Sequence, residues 1–150
     1  MKKTNRKSGF TLVELMIVAA IIAILAAIII PLLTKNRDKA VAADGQNLLG
    51  TLATALKVYY ANTGDATPTI AEMTTADALV MSELGKSKYF DTPEITSVTA
   101  TSTGFQYVLT AGLRSAVGAF AASDTLILTV GASGAPVWSG NIATVAKLSP

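Results

Sequence analysis

The chain has 150 residues, enough for one domain of moderate size, with twelve Lys and Arg against ten Asp and Glu. It contains no His and no Cys, which excludes His- and Cys-based catalysis, the usual zinc sites and any disulfide. Mean hydropathy is +0.48, and most of that comes from one stretch near the N-terminus.

That stretch runs from Leu12 to Leu33, and Glu14 is its only charged residue. As a helix it would reach about 33 Å at ~1.5 Å per residue, the thickness of a bilayer's hydrocarbon core. Lys2, Lys3, Arg6 and Lys7 precede it without an acid among them. Such a basic flank holds the N-terminus in the cytoplasm. A carboxylate inside a membrane span is expensive, so Glu14 calls for a partner and a function. Three readings compete here. A plain single-pass anchor leaves Glu14 unexplained. A secretory signal has an apolar region of only about 7–15 residues and no charge within it. A short basic leader cut before the apolar run leaves that run on the mature protein.

The third reading rests on a motif. Ser8-Gly9-Phe10-Thr11-Leu12-Val13-Glu14-Leu15-Met16-Ile17-Val18 resembles the class III signal of type IV pilins and of type II secretion pseudopilins. The resemblance is close over about the first 40 residues and loose beyond. It implies a leader of residues 1–9, cut between Gly9 and Phe10 by a prepilin peptidase that also N-methylates Phe10. It further implies that Glu14 faces the ammonium of a neighbouring subunit's first residue. Phe10 also lies one helical turn from Glu14 in the same chain, so pairing within the chain stays open. Loss of the leader leaves eight basic against ten acidic side chains, a charge of −2. That argues against sequence-specific nucleic-acid binding, which needs a basic folded surface. Many type IV pilins close their C-terminal region with a disulfide; this chain departs from that pattern.

Pro31 lacks a backbone donor and is expected to kink or open the helix. Beyond it the helical period resumes: Val41, Leu48, Leu52, Leu56 and Tyr59 form one apolar stripe. Gly64 is the expected C-terminal cap. The spine thus spans about 10–62, some 75 Å at ~1.5 Å per residue. Residues 10–33 form a membrane and filament-core half, and 34–62 an amphipathic half. Gly45 and Gly50 weaken the second half and are read as tolerated rather than as close-packing sites. Lys35, Arg37 and Lys39 form a basic collar, read equally as a solvated membrane edge or as a contact to acids on neighbouring subunits.

Residues 63–150 are read as a head. Thr69-Ile70-Ala71-Glu72 has the pattern of a capping box, and Thr75-Ala76-Asp77 suggests a second helix start. Ala78 to Leu84 reads as a short helix, and Tyr89-Phe90 as a plug between helix and sheet. After Pro93 the period changes to two. Ile95–Thr99 and Phe105–Leu109 form a hairpin, Leu126–Val130 a third strand and Val137-Trp138 a fourth. Leu113 to Ala122 fits a loop, a strand or a helical turn, and Ile142 to Leu148 a last strand or a tail. A spine helix packed on a small antiparallel sheet of about four strands is an α+β layout, and is what the pilin resemblance implies.

No phosphate-binding glycine loop or nucleophile elbow occurs, and the chain is read as a structural protein rather than an enzyme. No cofactor or metal is assigned. The calcium site of major pseudopilins would here depend on backbone carbonyls, since Asp124 is the only acid after Glu94. The spine carries no aromatic residue between Phe10 and Tyr59, so Tyr59, Tyr60, Tyr89, Phe90, Phe105, Tyr107, Phe120 and Trp138 are read as packing rather than as an electron path. The leading expectation is the main subunit of a type IV pilus. It would sit in membrane lipid before assembly, then be withdrawn into a helical homo-oligomer by an assembly platform in the inner membrane, with Phe10, Glu14 and Pro31 as assembly residues. The alternative is a major pseudopilin of type II secretion. A more distant one is a membrane-anchored binding module that never polymerises.

Overall fold

A computed structural model describes residues 9–64, 68–76, 82, 84, 86–101, 104–131 and 134–148. The chain divides into two units, Met1–Lys35 and Asn36–Pro150. Helix α1 (Leu12–Thr63, 52 residues) begins in the first and ends in the second.

In the first unit α1 is apolar all round. Leu12 to Leu33 includes fifteen large apolar side chains, all of them exposed, from Leu12 at 73% to Ile29 at 47%. A helix with that much uncovered apolar surface has no core of its own to enter. It is long and apolar enough to cross a membrane. The helix does not open at Pro31, contrary to expectation. The missing N–H removes one bond, to Ala27, while its neighbours keep theirs, and the Thr34 hydroxyl donates to the Pro31 carbonyl at 3.0 Å.

The second unit holds the core. Val41, Ala42, Gly45, Leu48, Leu49, Leu52, Ala53 and Leu56 form the buried stripe of α1, as the spacing predicts. Gly64 then takes a left-handed conformation (φ 73°), and its N–H bonds the Tyr60 carbonyl at 2.9 Å. Strands β1 (Glu94–Thr101), β2 (Gly104–Gly112), β3 (Thr125–Val130) and β4 (Pro136–Ser139) form an antiparallel sheet in sequence order. Tyr107, Leu109 and Ala111 of β2 and Leu126, Leu128 and Val130 of β3 bury alternate side chains in one core with the α1 stripe. This is the expected α+β fold with a long helix and four strands.

Close packing rests on one position that sequence reasoning took as merely tolerant. A Cβ on Gly45 would lie 2.7 Å from Phe90 Cζ and 2.8 Å from Leu126 Cδ2, so only glycine lets the Phe90 ring reach the helix. Gly50 has open space and is tolerated as read. Phe90 is fully buried, while Tyr89 lies half-exposed with the Lys88 ammonium 5.1 Å from its ring centre. Phe90 fills the core of the junction, and Tyr89 packs against its edge.

Two other expectations change, and one left open resolves as a loop. Thr75 and Ala76 do not start a helix; they end α2 (Ile70–Ala76), which the Thr69 capping box begins and which good helix formers carry onward. Asp77, most of the Ala78–Leu84 helix and the turn residues Ser102 and Thr103 lie outside the described residues; Ser82 and Leu84 are helical. Residues 113–122 form a loop with two isolated bridges, Phe90↔Leu113 and Val117↔Phe120, turning at Gly118. The final segment is helix α3 (Asn141–Ala146) rather than a strand or a tail. Ile142, Ala143 and Ala146 fall at i, i+1 and i+4, one face of a helix, and Lys147 closes it in the left-handed region (φ 55°).

Candidate assembly site

Helix α1 starts with a hydrogen-bonded box. The Thr11 N–H and hydroxyl donate to Glu14 Oε2 at 2.8 and 2.9 Å, and the Glu14 N–H donates to Thr11 Oγ1 at 3.3 Å. Thr11 is thus the N-cap and Glu14 the third helical residue, and each satisfies backbone groups that a helix start leaves open. The carboxylate also sits at the positive end of the helix dipole. Thr69 and Glu72 repeat the arrangement at α2, at 2.7, 2.8 and 3.3 Å. The sequence signals the box at Thr69 plainly, whereas at Thr11 the same Thr-x-x-Glu spacing is embedded in a longer motif.

The box engages one oxygen of Glu14. Among the described residues, Oε1 takes no donor. Gly9 and Phe10 precede the helix in a non-helical segment, with Phe10 91% exposed and nothing within 4 Å of a Cβ placed on Gly9. The position expected to be cut is thus exposed, and a capped helix follows it at once. Pro31 lies inside α1 with its ring exposed, and Lys35, Arg37 and Lys39 are exposed as well. Residues 1–8 of the leader are outside the described residues.

Residues 4–30 match the prokaryotic N-terminal methylation motif. Two proteins named type II secretion system core protein G are similar over 59 residues. The one from Escherichia coli K12 is 37% identical, over 39% of this chain and 41% of that protein. The one from Vibrio cholerae O1 is 39% identical, over 39% of this chain and 40% of that protein. Over this N-terminal region the chain is similar to proteins that carry the methylation motif, the two type II secretion core proteins among them. The matched region spans about two fifths of the length of these curated relatives.

The matched motif is one of N-terminal methylation, and it includes Gly9, Phe10 and Glu14. Its apolar helix implies membrane anchoring. In the second unit, Asp38, Asp44, Asp91 and Asp124 act as clips that sequence reasoning does not assign. Asp44 accepts from the buried Ser87 hydroxyl at 2.8 Å and from the Tyr89 N–H at 3.2 Å, fixing the approach to Phe90. Asp38 accepts from the Ala119 N–H at 3.2 Å, tying the 113–122 loop to α1. A side chain on Gly118 would collide with that same carboxylate. Arg114 pairs with Asp91 at 3.1 Å and donates to the Phe90 carbonyl at 3.0 Å.

Asp124 accepts from the Asn141 side-chain amide at 2.8 Å and the Ala121 N–H at 2.9 Å, joining the turn before β3 to the start of α3. Those two donors, the Asn141 amide foremost, hold its carboxyl below the ordinary carboxylate range. Among the described residues, no three acids gather as a metal-binding group would require.

Proposed function

We propose that this chain is the major pseudopilin of a type II secretion system, a structural and non-enzymatic subunit of a short periplasmic filament. Sequence reading alone ranks the surface pilus first. The observation that reverses the order is the likeness to two proteins of that name over 59 residues. The match is longer than the methylation motif at residues 4–30, so the shared processing signal does not account for all of it.

The mechanism follows from the helix. The precursor rests in the inner membrane with its N-terminus in the cytoplasm, and the peptidase cuts before Phe10 and methylates the new amine. The assembly platform then withdraws the subunit, and the apolar surface of residues 10–33 passes from lipid into a shared helix core. Lipid and helix core are similarly apolar, so this surface contributes little net driving force, and packing and polar pairs decide the register. The free oxygen of Glu14 is the acceptor for a neighbouring Phe10 ammonium, since a charge leaving water is stabilised only by a partner.

Deletion of the protein tests this reading. Secreted enzymes should accumulate in the periplasm while surface pili persist. Loss of surface pili with normal secretion would assign the chain to a type IV pilus instead.

A further inference from the structure

Beside the edge strand β1, where the sheet meets the start of α2, lies an open groove of about 390 Å³. Pro68, Ile70, Ile95 and Val98 give it an apolar lining, and Glu94 stands beside them. The strand register slips between Ile95 and Ser97, a bulge that disturbs the edge at this point. The other described acids of the second unit each hold a donor within the chain: Asp38, Asp44, Glu72, Asp91 and Asp124. Glu94 is exposed, and among the described residues its side chain holds none.

An apolar slot ending in a carboxylate suits a lysine, whose four-carbon stem buries on apolar surface while its ammonium pairs with the acid. The chain offers such lysines. Lys35 and Lys39 are exposed, stand four residues apart on one face of α1, and have no partner among the described residues. We infer that the β1 groove receives the Lys35 and Lys39 face of α1 from a second copy of this chain, with Glu94 as the counter-charge. The two surfaces differ, so the contact is heterologous: each subunit offers a groove to one neighbour and lysines to another. Contacts of that kind do not close as two-fold dimers; where the rotation does not close a ring they propagate into open helical filaments. Opposite charge also fixes the register that apolar surface alone leaves loose. The inference deepens the polymerising reading and rests on it.

Because the chain has no cysteine, one introduced pair reports the contact cleanly. Full-length protein carrying Glu94→Cys and Lys39→Cys should give, on oxidation of sheared filaments, a ladder of disulfide-linked multimers on a non-reducing gel. Glu94→Lys alone should lose filaments, and adding Lys35→Glu and Lys39→Glu should restore them. Filaments of the double-cysteine chain without a ladder, normal filaments from Glu94→Lys, or a disulfide from Glu94→Cys to a different protein would overturn the contact while leaving polymerisation intact. An unaltered chain that forms no filament overturns the polymerising reading itself, and the contact with it.

Discussion

Thr11 and Glu14 hold each other through three hydrogen bonds, two of them to the single oxygen Oε2 of the glutamate. The acid of the apolar run therefore has two separable roles. One oxygen caps α1 within its own chain, and the other is free for a partner. A glutamine keeps an oxygen that can accept from Thr11, while it loses the charge.

Substitutions at Glu14 separate the roles. Glu14→Gln should keep the first turn of α1 ordered, with slow hydrogen exchange at its amides in membrane mimics, yet assemble poorly. Glu14→Ala should lose both, while insertion and cleavage continue. Full assembly by Glu14→Gln would show that capping, rather than charge, is what the filament needs.

In the proposed processing, leader removal needs a small residue before the cut. Gly9→Asp should leave the precursor intact in the membrane, which intact mass reads directly as a chain beginning at Met1. Unaltered protein should begin at Phe10 and carry one added methyl group. Release of a shortened Gly9→Asp product would refute the assigned cleavage position.

At Gly45 the packing leaves no room. Gly45→Ala pushes a methyl into Phe90 and Leu126, and should destabilise the head by about 1–3 kcal/mol, as overpacking does. Gly50→Ala meets open space and should stabilise α1 by up to ~1 kcal/mol through helix propensity. Thermal unfolding of the two variants should move in opposite directions. A shift of the same sign in both would mean that Gly45 is not a contact point.

Asp124 gives the head an acid-sensitive clip. Its folded carboxyl titrates below its unfolded range, so its contribution to stability is present above the unfolded pKa. That contribution fades as pH falls through the depressed folded value, when the carboxyl protonates and loses the Asn141 and Ala121 donors. Asp124→Asn should reduce the acid-side loss of thermal stability relative to unaltered protein. An identical pH profile would show the clip to be neutral.

The spine, its buried stripe and all four strands were legible because each depends on a local period: 3.6 residues for Val41 to Leu56 and two for Ile95 to Val130. Gly45 was not legible, because its requirement comes from Phe90, a residue distant in sequence that only the fold brings against it. Helix α3 was missed because so short a run of Ile, Ala and Val fits either period, and the helix is fixed by the face it buries. The clips at Asp38 and Asp44 reach 81 and 43 residues along the chain, beyond any local signal. At Thr11 the same Thr-x-x-Glu spacing is present in the sequence, set inside a longer apolar motif.

The account turns on the first half of α1 being a polymerisation surface once the leader is gone. Electron microscopy of sheared material from overproducing cells, labelled with antibody to this chain, tests it most directly. The account predicts thin filaments labelled along their length. Abundant mature protein in the membrane with no labelled filament would contradict it.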